Sequence, residues 1–311
     1  MKIIRYSKNI ILPKKKRYIA LGVFDGVHLG HQKLIKLTSD NAKKNDGISI
    51  VATFDPHPDK IINPESNVFL LTTLEERINL IRSLDIDVFI IIRFNKIMSK
   101  MLPEDFISEI LVNSLQIKEL FVGFNYKFGF QGKGNTDILR KYGKYYKFKT
   151  NILNPIVLNN TIISSTVIKD YIKLGEILKA RKLLGYNITI SGKVISGKGR
   201  GRKLLNFATA NIEIPTDKVV PVNGVYLVEV KIDNEKYYGL MNIGFKPTFE
   251  EKTLTVEVHI INFSKNIYHK MVCINLLQKL RDEKYFSHPN LLKKQIEEDI
   301  LTAHKIINKN Y

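Results

Sequence analysis

Residues 22–31, Gly-Val-Phe-Asp-Gly-Val-His-Leu-Gly-His, bring two imidazoles and three glycines together in one short stretch. Imidazoles supply donors that can follow charge onto phosphate oxygens in a transition state. Glycines let a backbone approach an anion closely. The chemistry this pattern suits is binding and activation of a nucleoside triphosphate, with His28 and His31 as catalytic candidates and Phe24, Gly26 and Gly30 as parts of the same loop. Two plainer readings fit the histidines taken alone: a loop pair without chemistry, or half of a zinc site. The glycines and the flanking elements favour the nucleotide.

Those elements are a strand and a helix. Residues 18–24 are uninterruptedly apolar, as a strand buried on both faces should be, and residues 32–45 continue with helical character. Phosphate would meet the helix N-terminus, where free N–H groups and the positive end of the peptide dipoles favour anions. The first half goes on alternating, with strands expected at 48–54, 88–92 and 119–122 and helices between them, which argues for a parallel sheet covered by helices. Thr73-Leu74-Glu75-Glu76 reads as a capping box. A further helix begins after Pro103 with Phe106, Ile107, Ile110 and Leu111 on one face.

The pattern changes after a helical stretch over 167–184 that Gly185 ends. Residues 188–277 read as short strands rich in β-branched and aromatic residues, at 188–196, 224–232, 237–243, 253–261 and 271–277, the pattern of a small barrel. A long helix introduced by Ser287-His288-Pro289 closes the chain, with Leu292, Ile296, Ile300, Ala303 and Ile307 on one stripe. The expected fold is therefore α/β: an N-terminal domain over 1–184 and a C-terminal β-barrel domain over 185–311.

Composition narrows the class. The chain has 311 residues, of which 44% are apolar, enough for a core in each of two domains. No run approaches the ~20 consecutive apolar residues of a membrane span, and the N-terminus lacks the apolar stretch and cleavage site of a secretory signal. The expected location is the cytoplasm. Cys273, the single cysteine, sits in an apolar run and is expected to be a buried strand residue. A formal charge of +19 invites polyanions. Because the lysines are scattered, this favours steering of small phosphorylated substrates over a dedicated nucleic-acid function.

Further motifs follow in order. The N-terminal half contains Thr53-Phe54-Asp55-Pro56-His57-Pro58, Val122-Gly123-Phe124-Asn125-Tyr126-Lys127-Phe128-Gly129 and Ile163-Ser164-Ser165-Thr166. The C-terminal half contains Gly192-Lys193-Val194-Ile195-Ser196-Gly197-Lys198-Gly199-Arg200-Gly201-Arg202, then Phe207-Ala208-Thr209-Ala210-Asn211, Asn242-Ile243-Gly244-Phe245-Lys246-Pro247-Thr248-Phe249 and Val256-Glu257-Val258-His259. Together they resemble the bacterial bifunctional riboflavin kinase and FMN adenylyltransferase (FAD synthetase) family over residues 22–299. The resemblance implies a nucleotidyltransferase-type parallel sheet followed by a riboflavin kinase barrel. It implies phosphorylation of riboflavin to FMN and adenylylation of FMN to FAD, with ATP as substrate, pyrophosphate as product and Mg²⁺ or another divalent cation required.

The resemblance also carries roles onto matching positions. His28 and His31 line the ATP phosphates, Asn125 contacts adenosine, and Ser164, Ser165, Thr166 and Lys169 complete the ATP site. Asp55, Pro56, His57 and Pro58 lie near the flavin phosphate, and Arg281 near the flavin of the kinase. Gly197, Lys198 and Gly201 cradle the kinase's ATP, while Thr209 and Asn211 hold Mg²⁺ and nucleotide phosphates. Glu257 is the candidate general base, because a carboxylate within reach of the riboflavin alcohol can take its proton. In an alternating strand it shares a face with His259.

Ordinary turns or surface positions remain open for Asp55–Pro58, Asn125, Glu257 and Arg281. Three features depart from the family pattern. Lys169 replaces an arginine, which loses a planar two-pronged contact and predicts weaker ATP binding. Ala208 stands where proline is usual, and Leu205-Asn206 lengthens the kinase loop by one residue, which predicts a looser loop. The competing functions are a chain that retains only one activity, and a non-catalytic flavin- or RNA-binding protein on the same fold.

Overall fold

The computed structural model describes residues 1–196, 207–233, 235–247 and 252–310. The chain forms two compact units, Met1–Ser165 and Thr166–Tyr311.

The first unit is a six-stranded sheet, all parallel, in the order β1-β4-β3-β2-β5-β6. Its strands are β1 (Lys2–Arg5), β2 (Arg17–Leu21), β3 (Ile48–Asp55), β4 (Val88–Arg93), β5 (Glu119–Gly123) and β6 (Lys149–Leu153). The helices are α1 (Leu29–Lys44), α2 (Pro58–Ile62), α3 (Leu74–Arg82), α4 (Lys96–Ser99), α5 (Pro103–Asp105) and α6 (Thr136–Tyr146). Central strands are buried on both faces because successive residues point to opposite sides. Ile19, Leu21, Ile50, Ala52, Ile90 and Ile92 enter one core. Their neighbours Tyr18, Ala20, Val51, Phe89 and Ile91 enter the other.

Several local expectations are met. Thr73 and Glu76 form the reciprocal cap of α3, and the residues after Pro103 are helical. From Phe106 to Ser114, however, that helix is wound as a π-helix. It still buries Phe106, Ile107, Ile110 and Leu111. The edge strands β1 and β6 add to the strands expected from hydropathy.

The second unit begins within α7 (Ser165–Lys173), whose first residue ends the first unit, and continues with α8 (Ile177–Leu184) and a closed barrel in the order β10-β13-β12-β11-β14-β9. A small hairpin, β7 (Val157–Leu158) with β8 (Thr161–Ile162), precedes α7 in the chain. The barrel strands are β9 (Thr189–Ile195), β10 (Ala210–Glu213), β11 (Gly224–Ile232), β12 (Glu235–Pro247), β13 (Lys252–Ile260) and β14 (Met271–Arg281). All their pairings are antiparallel.

The single helical stretch expected over 167–184 is two helices. Gly175, at φ +76°, breaks it, and Gly185 at φ +79° ends α8. Thr166 onward, which includes most of α7 and all of α8, falls in the second compact unit. Cys273 is half-buried on β14, more exposed than its apolar run suggested. The closing helix α9 (Pro289–Asn310) lays Ala303, Ile300, Ile306 and Ile307 onto Val225, Leu227, Leu240 and Leu277.

Candidate functional site

In the first unit the strand order reverses direction at β2. The chain leaves β2 toward β3 on one side, and it leaves β5, on the other side of β2, toward β6. Open α/β sheets bind ligands in the crevice outside the carboxyl ends of strands at such a point. The loop after β2 carries the histidines, Asn125 lies in the turn after β5, and Asp55 ends β3.

The histidine loop is strained. Phe24 has φ +54° and Val27 φ +35°, the latter costly for a β-branched residue. Gly26 sits at φ +81°, and a Cβ there would lie 2.5 Å from Leu71 Cδ1. Hydrogen bonds over-determine the loop. Asp25 Oδ1 accepts from the N–H groups of Leu71 (2.8 Å) and Thr72 (3.1 Å), and Gly26 N–H donates to Thr72 Oγ1 at 3.0 Å. Ser165 Oγ donates to the Asp25 carbonyl at 2.9 Å, which ties the serine motif to the same loop. Ser164 precedes it, half-buried.

His28 caps α1: its Nδ1 accepts from His31 N–H at 3.3 Å. The two imidazoles stack with centroids 3.6 Å apart and planes 16° from parallel, and the buried Phe24 ring meets His31 edge-on at 5.2 Å. Gly30 permits this stack, since a Cβ there would lie 3.0 Å from His28 Cε1. His28 is 7% exposed. Burial pushes its pKa down to about 4 despite the nearby charge of Asp25. Burial first, then the charge His28 would carry if protonated and the positive charge of Arg77, drive His31 well below the ordinary imidazole value. Both rings are therefore neutral near pH 7, poised to donate rather than to carry fixed charge.

Asp55 precedes a cis Pro56, and His57 caps α2 by accepting the Asp59 N–H on Nδ1 at 3.2 Å. Pro58 opens that helix. Asn125 is exposed in its turn, with Oδ1 directed back to Gly123. Arg77 was missed by the sequence reading, although an arginine one turn before the fully buried Ile81 of α3 was a usable signal. Its guanidinium is 3% exposed and donates to Thr53 Oγ1 at 3.3 Å, while Thr53 donates to the Val23 carbonyl at 2.9 Å.

In the second unit, Thr166 and Lys169 lie on α7, the first exposed and the second half-buried. On the barrel, Val256, Val258 and Ile260 are buried, leaving Glu257 and His259 together on the opposite face of β13, as their alternation predicted. Glu257 is the register partner of Asn211 on β10 and of Asn242 on β12, so the three side chains form one row across three strands. Asn242 was not among the expected site residues. Exposed Thr209 precedes β10 by one residue.

His259 Nδ1–H donates to the Ala208 carbonyl at 2.9 Å, and its ring meets Phe207 edge-on at 5.1 Å. The segment that departs from the family pattern at Ala208 is thereby anchored. Arg281 forks onto Asp299 of α9, Nε to both oxygens at 3.0 Å and Nη2 to Oδ2 at 2.8 Å. Gly197, Lys198, Gly201 and the Leu205-Asn206 extension lie outside the described residues. Among the described residues no helix is long and apolar enough to cross a membrane.

A parallel sheet with a strained, glycine-bearing histidine loop at its switch point, followed by a six-stranded barrel with a Thr/Asn/Glu face, defines a two-part transferase of nucleotide chemistry. Comparison with known proteins is specific. Residues 11–167 match the FAD synthetase family and residues 184–307 the riboflavin kinase family. The bifunctional riboflavin kinase/FMN adenylyltransferase of Buchnera aphidicola subsp. Schizaphis graminum is 38% identical, covering 99% of each chain. The protein of that name from Escherichia coli K12 is 32% identical, covering 97% of each. A crystal structure described as a macrolide-efflux protein from Streptococcus pneumoniae aligns over 100% of both chains at 25% identity, with a TM-score of 0.88. The chain belongs to the bifunctional riboflavin kinase/FMN adenylyltransferase family and carries both activities.

Proposed function

We propose that adenylyl transfer runs at the histidine loop and riboflavin phosphorylation on the Asn211–Glu257–Asn242 face, each with its own ATP. The observation that carries the first assignment is the stacked, neutral histidine pair at the N-terminus of α1, with His28 buried and His31 half-buried. When the FMN phosphate attacks the α-phosphorus of ATP and pyrophosphate leaves, negative charge grows on the phosphate oxygens. The Nε2–H of His28 and the His31 ring stabilise it as donors already oriented by their stack. The first turn of α1 and Ser164 add donors for the triphosphate while Ser165 braces the loop through the Asp25 carbonyl, Asn125 takes adenosine, and Asp55, Pro56, His57 and Pro58 face the FMN phosphate.

On the barrel, Glu257 accepts the proton of the riboflavin alcohol as it attacks the γ-phosphorus. Thr209 and Asn211 offer neutral oxygen ligands, a donor set suited to Mg²⁺, which binds through few protein atoms and shares phosphate oxygens. When bound, that ion neutralises charge on the transferring phosphates. Arg281 stays on the flavin side of this site through the family resemblance, its guanidinium fixed by Asp299. The functional boundary is put near Gly185 and the location in the cytoplasm. Partners are small molecules rather than nucleic acid.

Mass-resolved product analysis with riboflavin, ATP and Mg²⁺ tests the assignment. H31A is expected to accumulate FMN without FAD. Unchanged FAD formation by H31A removes the histidine assignment.

A further inference from the structure

Arg77 is a guanidinium, charged at any physiological pH, buried where the ends of β2 and β3 meet the start of α3. Its Nη1 donates to Thr53 Oγ1 at 3.3 Å, its Nη2 reaches the Thr72 carbonyl at 3.5 Å, and its Nε, without accessible surface, has no hydrogen-bond partner. Each contact leads to the histidine loop. Thr53 Oγ1 goes on to the Val23 carbonyl, and Thr72 is the residue that Asp25 and Gly26 hold. A buried cation with two long hydrogen bonds and an unpartnered Nε is expensive, and structures keep such costs where function needs them.

Its electrostatic surroundings are specific. Asp25 and Asp55, on the two strand-end loops, attract it, and its charge opposes protonation of His31. His28, stacked on His31, and Asp25 also act electrostatically on the pair.

We propose that Arg77 is a positioning residue for adenylyl transfer, a buried cation that ties β3 and the Leu71–Thr72 segment to the strained loop and holds the stacked imidazoles ready for phosphate. The claim rests on the assignment of that transfer to the histidine loop. Arg77 acts through the loop and the rings. A neutral side chain of similar length keeps the packing and loses the brace and the charge together, whereas lysine keeps the charge alone.

The full chain carrying R77M, R77K, T53V or H31A is assayed for FAD formation from FMN across pH, with thermal melting of each. R77M is expected to lose about 100-fold in kcat, with the KM for ATP within about threefold. The acid limb of its kcat/KM profile should move to higher pH, because the charge opposing imidazole protonation is gone. R77K should keep the wild-type acid limb and recover to within about tenfold in kcat, and T53V, nearly isosteric, should lose about fivefold in kcat. If R77M folds too poorly to assay, T53V and R77K carry the test: wild-type kcat in T53V together with an acid limb displaced in R77K overturns the proposal. An unmoved acid limb in folded R77M makes the role merely structural and overturns it too. Loss of FAD formation in H31A beside wild-type kinetics in R77M removes Arg77 while the site stands. Wild-type FAD formation in H31A removes the site itself.

Discussion

His31 donates its backbone N–H to Nδ1 of His28, which leaves the His28 proton on Nε2. One hydrogen bond thus caps α1, fixes a tautomer and aims a donor away from the helix.

The neutral pair makes stability depend on pH. An unfolded imidazole titrates near 6.5 and folded His28 near 4. Between these values the unfolded chain binds a proton that the folded chain excludes, so stability falls as pH falls through this window. The slope is about 1.4 kcal/mol per pH unit for each such histidine, a few kcal/mol in all for His28. Calorimetry from pH 7 to pH 5 should show the first unit's melting temperature dropping, and H28Q should reduce that slope. An equal slope in H28Q contradicts the neutral state of the ring.

Gly30→Ala separates geometry from stability. Alanine is the better helix former by about 1 kcal/mol, but its Cβ would crowd His28 Cε1 and Nδ1 at 3.0 and 3.1 Å. FAD formation is expected to fall about 10- to 100-fold while the melting temperature holds or rises. Steady-state kinetics beside a melt decide it, and unaltered kcat shows that the ring tolerates displacement.

Glu257→Gln should abolish the other half of the chemistry. Losing a general base costs about 10²- to 10⁴-fold, so FMN formation from riboflavin should collapse while FAD formation from supplied FMN persists. Chromatography of the flavins reads both. Residual kinase activity above a tenth of wild type, roughly, excludes Glu257 as base.

The Arg281–Asp299 fork is a stability element of the barrel. The two side chains are 15% and 7% exposed, and removing one partner of a buried pair costs about 3–5 kcal/mol. D299N should lower the urea midpoint of the second unit accordingly. A shift below about 1 kcal/mol places the pair in the class of solvent-screened bridges.

Local physics made much of this protein legible. The apolar runs of β2, β3 and β4 report burial on both faces of a sheet, the Thr73–Glu76 cap is a four-residue property, and the glycine-flanked histidines mark the loop between β2 and α1. The alternation that puts Glu257 beside His259 needs only the pitch of a strand. Elements that failed were those whose conformation depends on partners. Strands β1 and β10 are four residues each and exist because β4, β9 and β13 accept their hydrogen bonds. Gly175 could be read as tolerated within a helix until the structure placed it at positive φ.

Linear sequence by itself determined which residues are candidates for chemistry and which face of its own element each strand residue occupies, because those follow from residue type and chain-local periodicity. Tertiary structure alone decided that Arg77 lies buried between the loops after β2 and β3, that Asn242 joins Asn211 and Glu257, and that Arg281 is claimed by Asp299. Each of these joins residues far apart in the chain, and only strand order and register, set by burying the shared cores, bring them within hydrogen-bonding or cross-strand distance.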